Sequence, residues 1–171
     1  MSRAVLSLGS NIGDRTAHLQ AAVRSLGRTV RAVSSIYRTP PWGGVEQADY
    51  YNIIVIAEDD GVDPHRWWER CQALEREAGR ERTIRWGPRT LDADVIMVEV
   101  HGHAVISDEP ELILPHPRAP QRAFVLRPWA EVDPTAELPG AGAIADLLDE
   151  LDTSGIVRVG HVHRDRLPRR P

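Results

Sequence analysis

The chain has 171 residues, a formal net charge of −4 and a single cysteine, Cys71. That length fits one domain, expected over residues 1–171, with enough chain to hold a core without covalent staples. The lone cysteine excludes an internal disulfide framework, and the mildly negative charge argues against a sequence-independent nucleic-acid binder. All 21 basic residues are arginine. A P-loop requires its lysine and a protein-kinase fold its strand lysine, so both devices are excluded, and any bound phosphate must be held by arginine forks and backbone amides. The apolar run at residues 3–8 is too short for a signal peptide, and nothing later approaches the roughly 18 apolar residues of a membrane span. A cytoplasmic monomer is therefore expected, acting on small molecules with neither nucleic acid nor membrane as partner.

In chain order, residues 3–8 read as a buried strand ending at Gly9-Ser10-Asn11. Leu19, Ala22, Val23 and Leu26 recur at helical spacing, and Gly27 sits where a C-terminal cap belongs. Residues 29–37, rich in valine, serine and isoleucine, suit a strand. Thr39-Pro40-Pro41-Trp42-Gly43-Gly44 forces a loop, and Tyr50 to Ala57 is a second strong strand. Asp63-Pro64 starts a helix, an N-cap followed by proline in the first turn. Trp67, Cys71, Leu74 and Ala78 share one face of that helix, and Gly79 ends it. Asp92 to Val98 alternates as a strand, with Ala93, Val95 and Met97 on its core face.

Beyond this strand proline recurs at 110, 115, 117, 120, 128, 134 and 139. The pattern there predicts short helices near 119–131, another helix at about 142–151 and a last strand near 156–162. Residues 164–171 read as a frayed basic tail. The order strand, helix, strand, strand, helix, strand is that of the ferredoxin-like α+β fold. The expected architecture is an antiparallel sheet with helices packed on one main face, plus additional C-terminal helices and a strand.

Asp92 and Asp94 stand two apart on a strand, so both carboxylates leave the same face. Two such groups repel unless a cation lies between them, and magnesium held by one or two carboxylates plus substrate phosphates is the usual arrangement in nucleotide enzymes. Alone, Asp-x-Asp is a weak signal that reads more readily as a solvated strand. The context adds Arg76, Arg80, Arg82, Arg85 and Arg89, interrupted by Gly79, Gly87 and Pro88. That stretch is either a solvated basic segment paired with Glu77 and Glu81, or a clamp closing on a polyphosphate. Trp86, set between Arg85 and Gly87, is placed to cover a flat heterocycle. No nucleophile with a nearby base is evident. Cys71 lies on an apolar helix face, and the pairs His101/His103 and His161/His163 read as surface histidines.

The run Arg85-Trp86-Gly87-Pro88-Arg89-Thr90-Leu91-Asp92-Ala93-Asp94 resembles the signature of the 6-hydroxymethyl-7,8-dihydropterin pyrophosphokinase family. The resemblance covers most of the chain. It extends through Leu8-Gly9-Ser10-Asn11, Ser35-Ile36-Tyr37-Arg38-Thr39-Pro40-Pro41, Asp49-Tyr50-Tyr51-Asn52, Gly79-Arg80-Glu81-Arg82, Pro115-His116 and Arg122-Ala123-Phe124-Val125-Leu126-Arg127-Pro128. It implies a ferredoxin-like fold and transfer of diphosphate from ATP to a pterin alcohol in folate biosynthesis, with AMP released.

It also implies roles by position. Asp92 and Asp94 would hold two magnesium ions, while Arg80 and Arg89 would contact phosphates or assist closure. Arg82 and His116 match nucleotide contacts, Arg122 a further basic position near the phosphates, and Glu75 a polar position lining the site. Tyr50 and Phe124 match the rings that sandwich the pterin, Asn52 the residue that hydrogen-bonds its edge, and Thr39, Pro40, Pro41 and Trp42 the loop that supplies backbone contacts. Trp42 replaces a smaller aliphatic residue, which implies a tighter pocket rim. Asp94 or a metal-held water is left open as the general base. Two rivals remain at this level: another ATP-dependent enzyme on the same scaffold, and an RNA-binding ferredoxin-like module, whose aromatic strand signature is absent.

Overall fold

A computed structural model describes residues 1–41, 44, 46–79 and 89–163. The first half contains β1 (Ser2–Ser10), α1 (Arg15–Leu26), β2 (Val30–Val33), β3 (Ser35–Thr39), β4 (Tyr50–Asp59) and α2 (Pro64–Glu77). The second half begins with β5 (Asp92–Val100), β6 (His103–Ala104), β7 (Ser107–Glu109) and β8 (Leu112–Leu114). It ends with α3 (Ala123–Val132), β9 (Glu137–Leu138), β10 (Gly142–Ala143), α4 (Ile144–Asp149) and β11 (Val157–His161). The tail at 164–171 lies outside the described residues. No described helix is long and apolar enough to cross a membrane.

Local chemistry sets the helix ends. The Asp14 carboxylate accepts the Ala17 N–H at 3.0 Å to open α1, and the chain leaves that helix through Gly27 at φ 56°. Asp63 accepts the Arg66 N–H at 2.9 Å ahead of Pro64, so α2 begins where the sequence places it.

The main sheet runs β11-β3-β4-β1-β5-β6, with β2 also paired to β4. Its described pairings are antiparallel. One strand over residues 29–37 is expected, but two form, because Ser34 interrupts the ladder. Its Oγ accepts the Ile54 N–H at 2.9 Å and donates to the Ser35 carbonyl at 2.8 Å, so a side chain takes one half of the pairing while the Ser34 main-chain N–H keeps the other, donating to the Ile54 carbonyl at 2.9 Å. The hairpins β7–β8 and β9–β10 are not anticipated from sequence, since strands of two or three residues are too short to show a period.

Both sheet faces are covered. Helices α1 and α2 pack Leu19, Val23, Trp67 and Leu74 against Leu6, Leu8, Ile53 and Val55. The additional C-terminal helices take the opposite face, where Val125, Leu126, Trp129 and Ile144 meet Val5, Ile54, Ile56 and Ile96. Strand β4 is accordingly apolar at every position from Ile53 to Ala57. Alternation predicts Met97 on the face of Ala93 and Val95, but it lies with Ile96 in the second cluster. Val5 pairs with Met97 and Leu6 with Val95, so Ile96 is an extra residue that resets the alternation. Asp92 and Asp94 precede this bulge and keep their shared face.

Candidate active site

Because β1 is antiparallel to both neighbours, its C-terminal end lies between the N-terminal ends of β4 and β5. Gly9 stands opposite Asn52 on one side and Asp92 on the other, and Ser7 opposite Asp94. This convergence opens a cleft of about 510 Å³ of empty space, its solvent mouth included. Asp92 and Asp94 line it together with Tyr50, Asn52, Thr39 and Pro40, and α3 adds Phe124 in its first turn with Arg122 just before it. Residues from four distant parts of the chain thus face one space. Pro41 is half-buried beside it and does not line it. Trp42, Arg80, Arg82 and Trp86 lie outside the described residues.

The acidic pair is balanced by arginine. Arg89 Nη1 lies 3.6 Å from Asp92 Oδ1, and Arg122 Nη1 lies 3.8 Å from Asp94 Oδ2. Each carboxylate side chain is 35% exposed, whereas those of Arg89 and Arg122 are 19% and 9% exposed, so the acids face the opening from a sunken basic wall. Burial draws the Arg122 guanidinium below its ordinary value, and Asp94 and Asp92 oppose that shift. From the opposite face of β5, the buried Glu75 accepts the Ala93 N–H at 3.0 Å. Glu75 therefore pins the peptide between the two aspartates and lines neither cleft. Burial pushes the Cys71 thiol far up, with Asp94, Glu75 and Asp92 adding to the effect, which removes it as a nucleophile.

Aromatic and polar groups shape the rest. Asn52 Nδ2 donates to Thr39 Oγ1 at 2.6 Å, fixing the amide at the cleft wall. Phe124 is half-buried, with the Arg122 guanidinium 5.4 Å from its ring centre. Gly9 is there because nothing larger fits: a Cβ would come within 2.5 Å of Asn52 Oδ1 and 3.3 Å of Tyr50 Cδ1. A similar close approach lies behind the loop, where a Cβ at Gly155 would sit 2.7 Å from Pro40 Cγ.

A second cleft, about 580 Å³ with its open mouth, lies on the other side of Asp94. Trp68 and Gln72 of α2 form one wall and the hairpin residues Leu112 and Ile113 another, with His116 beside them. Burial lowers the His116 pKa to about 4, and Arg122 and Arg118 add to that fall, so the ring is neutral at pH 7. Its Nδ1 accepts the Arg118 N–H at 3.2 Å, leaving Nε2 as the protonated donor. The ring is positioned through its own main chain, whose N–H donates to the Ile96 carbonyl at 2.8 Å. Asp94 is common to both clefts.

Sequence reasoning singles out neither Ser7 nor Gly9 as cleft residues, and it misses Trp68 and Gln72 altogether. The first two are findable, since they alternate on the strand that ends at Gly9-Ser10-Asn11. Trp68 carries no such signal, because it stands one position from the core residue Trp67 and off the apolar face.

Residues 5–134 match the family described as 7,8-dihydro-6-hydroxymethylpterin-pyrophosphokinase. Among curated relatives, the 2-amino-4-hydroxy-6-hydroxymethyldihydropteridine pyrophosphokinase of Mycobacterium tuberculosis is 47% identical over 165 residues, covering 89% of this chain and 85% of the relative. That of Mycobacterium leprae is 53% identical over 148 residues, covering 83% and 78%. That of Bacillus subtilis is 42% identical over 147 residues, covering 84% and 85%. Among solved structures, wild-type Plasmodium falciparum HPPK-DHPS superposes with a TM-score of 0.62 at 12% identity, over 86% of this chain and 44% of that one. The present chain thus spans less than half the length of that structural relative, and the likeness concerns the fold. With the aspartate pair, the aromatic cleft and these matches in agreement, the chain belongs to the 7,8-dihydro-6-hydroxymethylpterin-pyrophosphokinase family.

Proposed function

We propose an assignment of parts for the reaction of this family, transfer of diphosphate from ATP to the hydroxymethyl oxygen of 6-hydroxymethyl-7,8-dihydropterin in folate biosynthesis. The first cleft takes the pterin, with Phe124 and Tyr50 against its faces and Asn52 at its edge. The second takes the nucleotide, its base beside Trp68 and its phosphates directed toward Asp94. The observation that carries this assignment is that Asp94 belongs to both clefts, so the two ligands meet at the acidic pair.

The residues fit magnesium. Two carboxylates on one strand face supply hard oxygen ligands, and both are open to the cleft. Among the described residues no group of three or more acidic, histidine or cysteine side chains is arranged to hold a metal ion, and magnesium bound by one or two carboxylates ordinarily takes its other ligands from phosphate oxygens and water. Bound there, the metal would neutralise charge on the transferring phosphates. Two ions would be held by Asp92 and Asp94 together.

In the transfer the hydroxymethyl oxygen attacks the β-phosphorus in line, the bond to the α,β-bridging oxygen breaks, and AMP leaves with that oxygen. Positioning and charge neutralisation supply most of such catalysis. Arg122 and Arg89 hold their guanidinium groups beside the carboxylates, within reach of phosphate oxygens. The neutral His116 offers its Nε2–H to the nucleotide without adding charge. The hydroxyl proton would pass to Asp94 or to a water held by the metal. Product analysis tests the reaction: AMP together with pterin diphosphate is expected, and ADP would overturn it.

Gly9 provides a check on the pterin cleft. Gly9→Ala inserts a methyl against Asn52 and Tyr50, and overpacking of this kind costs about 1–3 kcal/mol. Steady-state kinetics should show the pterin KM raised roughly tenfold with the ATP KM little changed. An equal rise in both would show that Gly9 is not specific to the pterin side.

A further inference from the structure

Asn11 follows β1 directly and is 4% exposed. Its Nδ2 donates to Gln47 Oε1 at 2.8 Å and to the Ala48 carbonyl at 3.0 Å. At its other end, Oδ1 accepts the Arg89 N–H at 2.8 Å, and the Asn11 main-chain N–H donates to the Arg89 carbonyl at 3.0 Å. The side chain lines neither cleft. One buried amide therefore joins two segments far apart in sequence. Residues 46–49 run straight into Tyr50 and Asn52; Arg89 to Leu91 run straight into Asp92.

We propose that Asn11 is a positioning residue that couples the binding of the two substrates, so that order imposed at Arg89 by one ligand presets the 46–49 segment for the other. The proposal rests on the assignment of the two clefts given above. Main-chain groups at both ends, an N–H at Arg89 and a carbonyl at Ala48, fix which way the amide points. Its donor and acceptor halves are thus committed to different segments. A buried amide that loses either half is left with an unsatisfied polar group, so the two sets of hydrogen bonds favour one another. Each segment then feels whether the other is in place, and such coupling is reciprocal between ligands.

Asparagine is suited to this and its isosteres are not. Aspartate can still accept from Arg89 but has no donor for Gln47 or Ala48, so it keeps one half of the link and cuts the other. The 46–49 segment has an independent tether in Arg15, whose Nη1 donates to the Asp49 carbonyl at 2.9 Å and whose guanidinium lies 3.8 Å over the Tyr51 ring. Loss of the Asn11 link should therefore leave each cleft in place while uncoupling them.

The test is calorimetry on the whole chain, with pterin affinity measured in the presence and absence of a non-hydrolysable MgATP analogue. In the unaltered chain the analogue should tighten pterin binding by about fivefold or more, the usual range for coupled sites. In Asn11→Asp each ligand alone should bind within about threefold of the unaltered chain, while the enhancement falls below about twofold. Should that variant not fold, Gln47→Ala removes one of the two acceptors of the Asn11 amide N–H groups and should at least halve the enhancement. An unchanged enhancement in either folded variant, or a parallel loss of affinity for both ligands measured singly, overturns the coupling. Failure of the unaltered chain to bind pterin would instead overturn the cleft assignment and the coupling with it.

Discussion

Asp94→Asn should lower turnover on the order of 10³-fold, the scale seen when a charge-stabilising group is lost from a transferring phosphoryl group. The amide is the same size but a poor ligand for magnesium and no base. Because Asp94 lines both clefts, both KM values should rise, whereas Asp92→Asn, which lines only the first, should lower turnover comparably with a smaller effect on nucleotide binding. Stability should not follow activity. The ion pairs to Arg89 and Arg122 are long, at 3.6 and 3.8 Å, and the carboxylates are partly solvated, so each pair contributes about 0–1 kcal/mol. Removing one of two like charges on a strand face offsets much of that. A coupled assay for AMP and a thermal melt on the same preparation separate the two effects. A large drop in melting temperature would mean that the aspartates hold the fold instead of the substrates.

Phe124→Ala should weaken pterin binding by roughly ten- to a hundredfold and leave nucleotide binding within about twofold. Offset stacking contributes about 0.5–1.5 kcal/mol, and the apolar area no longer covered adds about 25 cal/mol per Å². The ring lines the first cleft and not the second, which is why the effect should be one-sided. It also packs partly on the second core cluster, so a modest loss of stability will accompany the change. Calorimetry with pterin and with MgATP analogue, each alone, reads both affinities. Equal losses would place Phe124 in the core and not in the site.

Much of this arrangement is legible in the amino-acid sequence. Helices α1 and α2 betray themselves by Gly27 and Gly79 beyond their ends and, for α2, by Asp63 at its start, because those positions are chosen by local hydrogen bonding and backbone geometry, whereas the Asp14 cap that opens α1 is not anticipated. The acidic pair is legible because a two-residue period on a strand is a purely local rule. Readings that depend on a neighbouring strand do less well. The bulge at Ile96 exists only in the pairing of β5 with β1, so nothing in the residues around Met97 announces which face that side chain takes. Ser34 breaks its strand by bonding to Ile54, a partner twenty positions away. Glu75 carries the same lesson at the site, since its family position suggests ligand contact and its geometry shows a brace under β5. Trp68 owes its place to a cleft wall built by a hairpin about forty residues later.

The double coverage of the sheet bears on how small this enzyme can be made. A ferredoxin-like unit ending at Val100 would contain every strand and helix of that order, and would look complete on a topology diagram. Yet Ile54, Ile56, Ile96 and Met97 turn away from α1 and α2, and among the described residues the helices that cover them come after Val100. Those same residues bring Arg122 and Phe124 to the cleft. The family match stops at 134, but Leu138 and Ile144 are still part of that second core. Truncation to the recognisable motif would strip a sheet face and remove Arg122 and Phe124 from the first cleft in one cut, so the residues after Val100 are as much foundation as the frame they cover.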